Sequence, residues 1–284
     1  MVGNDEPHSQ FVYDMFYLSV SLAKDLGYQT AFYGTHDSFY KIKPYVNESH
    51  DCTWLDYRLY DDIKVNIWYE RNDNFMTIDG DVFLYNRLEY DEYLSNGIAI
   101  ANKKIELIYE KKQTISLQVE SALNVFNSFN PKQVIPEWDY NNRFSICTGI
   151  IGWAKNSDFK KYYCESYSKL RKWFLQNEKQ MKSINPHLSK DSAVVSHIIC
   201  EHLLYQLSNY YNIPKTEIIS NSNNKYWHVQ GPDKFRDIDF INNIGNFVNA
   251  HKNNNFKVNH LHQRMLDDGI LKKPLLFRET KKII

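Results

Sequence analysis

The sequence predicts an α/β fold, and three observations carry that expectation. A run with helical spacing is followed at once by a short apolar strand. A second apolar strand, Phe75 to Tyr85, is interrupted by Asp79-Gly80-Asp81. Later segments alternate between helix-length amphipathic runs and a short buried run, Phe144 to Trp153.

In chain order, Phe11, Met15, Leu18, Leu22 and Leu26 recur at helical spacing, and Gly27 stands where a C-terminal cap belongs. Gln29 to Tyr33 then reads as a strand ending at Gly34. Asp56 to Tyr69 is mixed, with Leu59, Ile63 and Ile67 at helical spacing. Ile98 to Ile100 and Ile105 to Tyr109 read as short strands, and Ile115 to Phe129 as a helix broken by Pro131 and Pro136. Asn156 or Ser157 is placed to cap a helix running to about Gln176. A second helix covers Asp191 to Tyr210, with Val194, Val195, Ile198, Ile199, Leu203 and Leu207 inward. Tyr226 to Gly231 reads as a strand entering a turn, and short helices follow it. Asn221 to Asn224 and Asn253 to Asn255 read as surface loops. No internal repeat and no long linker appear, so residues 1–284 are expected to form one domain with a helical extension over about 235–284.

Composition narrows the function classes. Lys plus Arg and Asp plus Glu both number 34, so the formal charge is zero and no basic stripe marks a nucleic-acid surface. Cys52, Cys147, Cys164 and Cys200 are scattered without C-x-x-C spacing, which argues against structural zinc and a disulfide scaffold. Met1 to Gln10 contains no apolar segment of signal-peptide type, and no apolar run is long enough to span a bilayer. A cytoplasmic location is expected, with peripheral membrane contact left open. No G-x-S-x-G elbow, G-x-G-x-x-G or P-loop is present.

The chemistry-bearing residues fall in two short motifs. Asp79 and Asp81 stand two apart at the end of an apolar strand, and extended backbone would point both carboxylates to one face. Gly80 between them would allow close approach and an unusual φ, and the competing reading of these three residues is an acidic turn that ends the strand. Oxygen ligands favour magnesium or manganese, either of which would bridge diphosphate oxygens. The second motif is Tyr226-Trp227-His228-Val229-Gln230-Gly231-Pro232-Asp233-Lys234. His228 offers a ring nitrogen to a metal, Gly231 lets backbone approach a phosphate, and Lys234 supplies a point charge.

Ile78-Asp79-Gly80-Asp81-Val82-Phe83 resembles the D-x-D strand of glycosyltransferases with the GT-A fold. His228 to Lys234 resembles the H-x-x-G-x-x-K motif of glycosyltransferase family 8, the glycogenin-like and bacterial galactosyltransferase group. The two motifs lie in that family's order, about 150 residues apart. The resemblance implies a single GT-A domain, with a mostly parallel central sheet and helices on both faces. It implies a manganese or magnesium site at Asp79, Asp81 and His228, and contacts from Gly231 and Lys234 to the diphosphate of a UDP-sugar donor. Ile146-Cys147-Thr148-Gly149 resembles the family's Asn-Ala-Gly strand at the sugar pocket, with Gly149 matching and Cys147 and Thr148 replacing Asn and Ala. Asp191 corresponds to a residue near the donor sugar and is equally placed to N-cap the helix behind it.

The resemblance further implies transfer with retention to an acceptor hydroxyl on a glycan, lipid-linked saccharide or protein. There are two departures from the family pattern. The chain opens almost directly with a helix, where such folds begin with a strand that helps hold the base, and Phe235-Arg236 replaces the family's Pro-Trp. Two other functions compete. An aspartyl phosphohydrolase also carries D-x-D at a strand end, but it gives the His228 motif no role. A degenerate GT-A domain would bind nucleotide sugar or glycan without transfer. His260 and His262 read as surface or packing histidines. His197 and His202 lie five apart in a helix and do not share a face. Thr35 to Asp37, at a strand end, is a further candidate for the nucleotide.

Overall fold

The protein is described by a computed structural model covering residues 7–55, 58–59, 61–84, 87–88, 98–100, 105–106, 114–217, 226–228, 238–254 and 267. In chain order the elements are α1 (Pro7–Asp25), β1 (Ala31–Gly34), α2 (His36–Ile42), β2 (Glu48–Asp51), α3 (Asp62–Glu70), β3 (Phe75–Ile78), β4 (Val82–Leu84), β5 (Ile98–Ile100) and β6 (Ile105–Glu106). They continue with α4 (Thr114–Ser128), β7 (Phe144–Ser145), β8 (Ile150–Trp153), α5 (Asp158–Ile184), α6 (Ala193–Ser196), a π-helical segment (His197–His202), α7 (Leu203–Tyr210), β9 (Lys215–Glu217), β10 (Tyr226–His228) and α8 (Ile238–Asn254). The fold is mixed α/β. No helix among the described residues is long and apolar enough to cross a membrane.

The chain divides into two compact units. One comprises Met1–Trp54, Asp79–Leu88 and Ile219–Ile284, and the other Leu55–Ile78 and Glu89–Ile218. In the first unit, Phe11, Met15, Leu18 and Leu22 form one stripe of α1. They pack with Ile42, Phe83 of β4, and Ile244, Phe247 and Val248 of α8. The helix expected after residue 235 is therefore α8, and Asn253 and Asn254 belong to it rather than to a loop. Gly27 ends α1 with φ +80°, and the Gly27 and Tyr28 N–H groups donate back to Lys24 O and Ala23 O. That is the left-handed cap the sequence signals. β1 and β2 pair in parallel around α2, while β4 and β10 pair antiparallel.

The second unit is built on a four-stranded sheet in the order β3-β8-β5-β9. β8 runs antiparallel to both β3 and β5, and β5 and β9 are parallel. The mostly parallel sheet expected is thus corrected: antiparallel ladders predominate among the described residues. The physical reason is that β7 and β8 run back along β6 and β5 as one interrupted antiparallel pair, broken at the Thr148–Gly149 turn, although α4 lies between the two halves in the chain. The same turn splits the single buried strand expected over Phe144 to Trp153 into β7 and β8. Trp68, Phe126, Trp138, Trp153, Tyr163 and Phe174 fill the core of this unit. Ser157 caps α5, its Oγ accepting from Lys160 N–H at 3.1 Å, as the sequence allows. The helix then runs on to Ile184, past the expected end.

Candidate functional site

The D-x-D segment is a turn. Val82 N–H donates to Asp79 O at 3.0 Å, closing a hydrogen-bonded turn over Gly80 and Asp81. The period-two argument for the two carboxylates is therefore corrected: Asp79 and Asp81 flank a reversal rather than lying along extended backbone. Both are half-buried. The unusual φ expected at Gly80 is also absent, since among the described glycines only Gly27 has positive φ. Gly80 is instead required by packing, because a Cβ there would collide with the ring of Phe16 on α1. The strand leaving the turn is held by Ser19 Oγ, which donates to Val82 O at 2.8 Å inside the unit.

β10 brings the second motif to this turn. Its antiparallel register with β4 places Tyr226 opposite Leu84, Trp227 opposite Phe83 and His228 opposite Val82. Directly opposed residues in such a ladder have Cα atoms about 4.5–5.5 Å apart. The backbone of His228 thus lies across from the residue next to Asp81. Gly231, Lys234, Arg236, His260, His262 and the loop Asn221 to Asn224 lie outside the described residues. Among the described residues there is no group of three or more His, Cys, Asp or Glu side chains able to hold an ion.

Thr35, of the Thr35 to Asp37 candidate, is the N-cap of α2. Its N–H donates to Ser38 Oγ at 3.1 Å, and the Ser38 hydroxyl donates back to Thr35 O. Gly149 and Asp191 belong to the second unit. Gly149 is buried in the turn before β8, and Asp191 is exposed. The helix behind Asp191 is capped by Ser192, whose Oγ accepts from Val194 N–H at 3.2 Å. The reading of Asp191 as that cap is corrected: the helix starts one residue later than the pattern suggests.

The Thr148–Gly149 turn sits in a polar network that sequence spacing did not reveal. Glu201 Oε1 accepts from Thr148 N–H at 3.1 Å and lies 3.4 Å from its hydroxyl. Lys64 Nζ lies 3.4 Å from both the carbonyl and the hydroxyl of Thr148, and 3.9 Å from Asp61 Oδ1. Asp61 in turn accepts from the hydroxyl of Ser196. His197 Nδ1 lies 2.6 Å from Glu201 Oε2. Burial acts to lower the His197 pKa, but the charge and hydrogen bond of Glu201, with the charge of Asp61, outweigh it and the pKa is raised. Burial likewise acts to raise Glu201, and His197, Thr148 N–H and Lys64 together bring it below the usual carboxylate value. The signal that could have found this site is His197 and Glu201 at i,i+4.

These groups converge because the helix takes a π-helical turn at His197–His202. Such a turn shifts the intrahelical hydrogen bonds and lets carbonyls find outside donors. Here Glu201 O accepts from Ile146 N–H at 3.2 Å, and Cys200 O from Tyr163 Oη at 3.1 Å. His202 is fully buried, with Nδ1 2.7 Å from Phe144 O and Nε2 2.7 Å from Gln206 Nε2. All four cysteines are buried and none forms a disulfide.

No curated protein and no solved structure matches this chain. Residues 42–269 match a family whose span takes in the Asp79–Asp81 turn, the Thr148 network and the His228 strand, and the chain therefore belongs to the family of unknown function DUF6734.

Proposed function

We propose that the protein is a metal-dependent glycosyltransferase that takes a sugar from a nucleotide-sugar donor, with UDP as the nucleotide. One observation carries the reading: the β4–β10 ladder sets His228 against the strand that leaves the Asp79–Asp81 turn. Two carboxylates flanking one tight turn, with an imidazole-bearing residue on the neighbouring strand, make a donor set that suits manganese or magnesium. When bound, such an ion supplies Lewis-acid stabilisation of a departing diphosphate. In this reading Asp79, Asp81 and His228 hold the ion, and Gly231 and Lys234 receive the diphosphate. The acceptor in this reading is a hydroxyl of a glycan, lipid-linked saccharide or protein.

A second reading is favoured by the Thr148 turn, whose N–H, carbonyl and hydroxyl are all engaged by Glu201 and Lys64. A turn whose polar groups are already engaged offers few of them to a reacting sugar, which suits a domain that binds nucleotide sugar or glycan without transferring it.

The thermal shift with UDP, with and without manganese, tests the donor site in wild type, Asp79→Ala and His228→Ala. At ligand about 100-fold above its dissociation constant, binding adds about 2.7 kcal/mol and raises the melting temperature by several degrees. The expected shift needs the metal and is lost in both variants. If no combination of UDP and metal moves the melting temperature of wild type, the nucleotide-sugar reading fails. A shift without UDP release from a panel of UDP-sugars and acceptors selects the non-transferring domain.

A further inference from the structure

We propose that His197 is a positioning residue: through Glu201 it fixes the Thr148–Gly149 turn, and the charge on its imidazole sets how firmly that turn is held.

The turn is gripped from two sides. Lys64 reaches its carbonyl and hydroxyl from α3, and Glu201 takes its N–H from the π-helical segment. A third tie, from Ile146 N–H to Glu201 O, anchors the strand entering the turn to the same residue. Glu201 is therefore the common support, and its second carboxylate oxygen is committed to His197. The side chain of Glu201 is 12% exposed and that of His197 is 39% exposed. One member of the pair is enclosed, and the other exchanges protons with solvent. The ionisable groups facing the imidazole are Glu201 on its own helix and Asp61 beside α3, while Lys64 lies between Asp61 and Thr148. With His197 charged, the enclosed Glu201 is neutralised by a full ion pair and Lys64 by Asp61. With His197 neutral, Glu201 loses its main counter-charge inside a poorly solvated site. An enclosed carboxylate without that partner is destabilised and must draw solvent or shift. The Thr148 N–H is the bond that loosens, because it is the contact Glu201 makes to the turn.

The significance of the turn rests on the transferase reading, in which Gly149 lines the sugar pocket. The coupling itself does not need that reading, since it is a property of the ligand-free protein. The test is amide hydrogen exchange at Thr148 and Gly149 across the His197 titration, each rate corrected for its intrinsic pH dependence. Imidazole resonances report the His197 midpoint in the same samples. The expected result is protection that falls as pH rises through that midpoint. His197→Gln, which can still donate to Glu201 but cannot become charged, should give protection independent of pH over this range. Glu201→Gln should give reduced protection at every pH, with far-UV circular dichroism confirming that both variants are folded. The proposal is overturned if wild-type protection is the same on both sides of the midpoint, or if His197→Gln keeps the wild-type dependence. Because the experiment uses neither UDP nor metal, its failure is separate from a failure of the donor site.

Discussion

At Gly80 the backbone passes so close to Phe16 that any side chain would enter the ring. Glycine here serves packing of the first unit, whatever Asp79 and Asp81 on either side of it bind. Gly80→Ala should therefore destabilise the protein by about 1–3 kcal/mol, the usual cost of forcing extra volume into a filled site. Urea unfolding would measure it, and the same Gly80→Ala change should cost little when made in a Phe16→Ala background, where the ring is gone. A Gly80→Ala, Phe16→Ala protein that folds and still binds UDP with manganese would assign the glycine to packing alone. The sequence shows a glycine between two acids and invites a ligand-centred explanation. Nothing in local spacing announces a ring from a helix some sixty residues earlier.

The π-helical segment shows the same division at the scale of an element. Apolar periodicity correctly marks a helix over Asp191 to Tyr210, because Val194, Ile198, Leu203 and Leu207 keep facing the core. It cannot mark the change of hydrogen-bond register inside that helix, which follows from donors supplied by Ile146 and Tyr163. The chemistry of His197 and His202 diverges for this reason. His197 gains a carboxylate, whereas His202 is sealed in, and burial lowers its pKa to about 4 against the pull of its bond to Phe144 O. A histidine with a depressed folded pKa contributes stability that is full above its unfolded value near 6.5. That stability is lost as pH falls from there toward 4, since the unfolded chain takes up the proton first. The loss at the acid end is on the order of 3 kcal/mol. Urea unfolding between pH 7 and pH 4.5 should show it in wild type, and a flatter profile in His202→Gln. The cap at Gly27, the N-cap at Ser157 and the strands at β1 and β3 were all legible in the sequence, because each depends on residues adjacent in the chain. The extended reading of the D-x-D segment failed although Asp79-Gly80 is itself a turn signal, because the apolar residues on both sides of it suggest an uninterrupted strand.

For the whole molecule, equal numbers of acidic and basic residues and a pI near 7.1 leave no net repulsion between copies at neutral pH. Solubility should pass through a minimum near pH 7 and rise on either side, which static light scattering across pH would measure. A minimum displaced by a full unit or more would mean that the folded charges titrate far from their ordinary values. The same balance explains why composition argues against a polyanion surface but gives no positive lead to a ligand. Fold class was readable at this scale, whereas strand direction was not. Alternating helices and strands announce α/β, but they leave open whether strands that follow a helix, as β7 and β8 follow α4, pair parallel or antiparallel with the strands before it.

The first unit is assembled from three stretches of chain with the second unit's sequence lying between them. A ribosome therefore delivers the second unit's last residue, Ile218, before it delivers β10. The β4 edge must wait through the synthesis of roughly 140 residues for the strand that completes it, a long-range closure of the kind that slows folding. During that interval Val82, Phe83 and Leu84, which end fully buried, have no partner strand. A nascent chain arrested before Tyr226 would thus carry the Asp79–Asp81 segment beside an open, apolar strand edge. An edge left open in that way is a template for pairing with another chain.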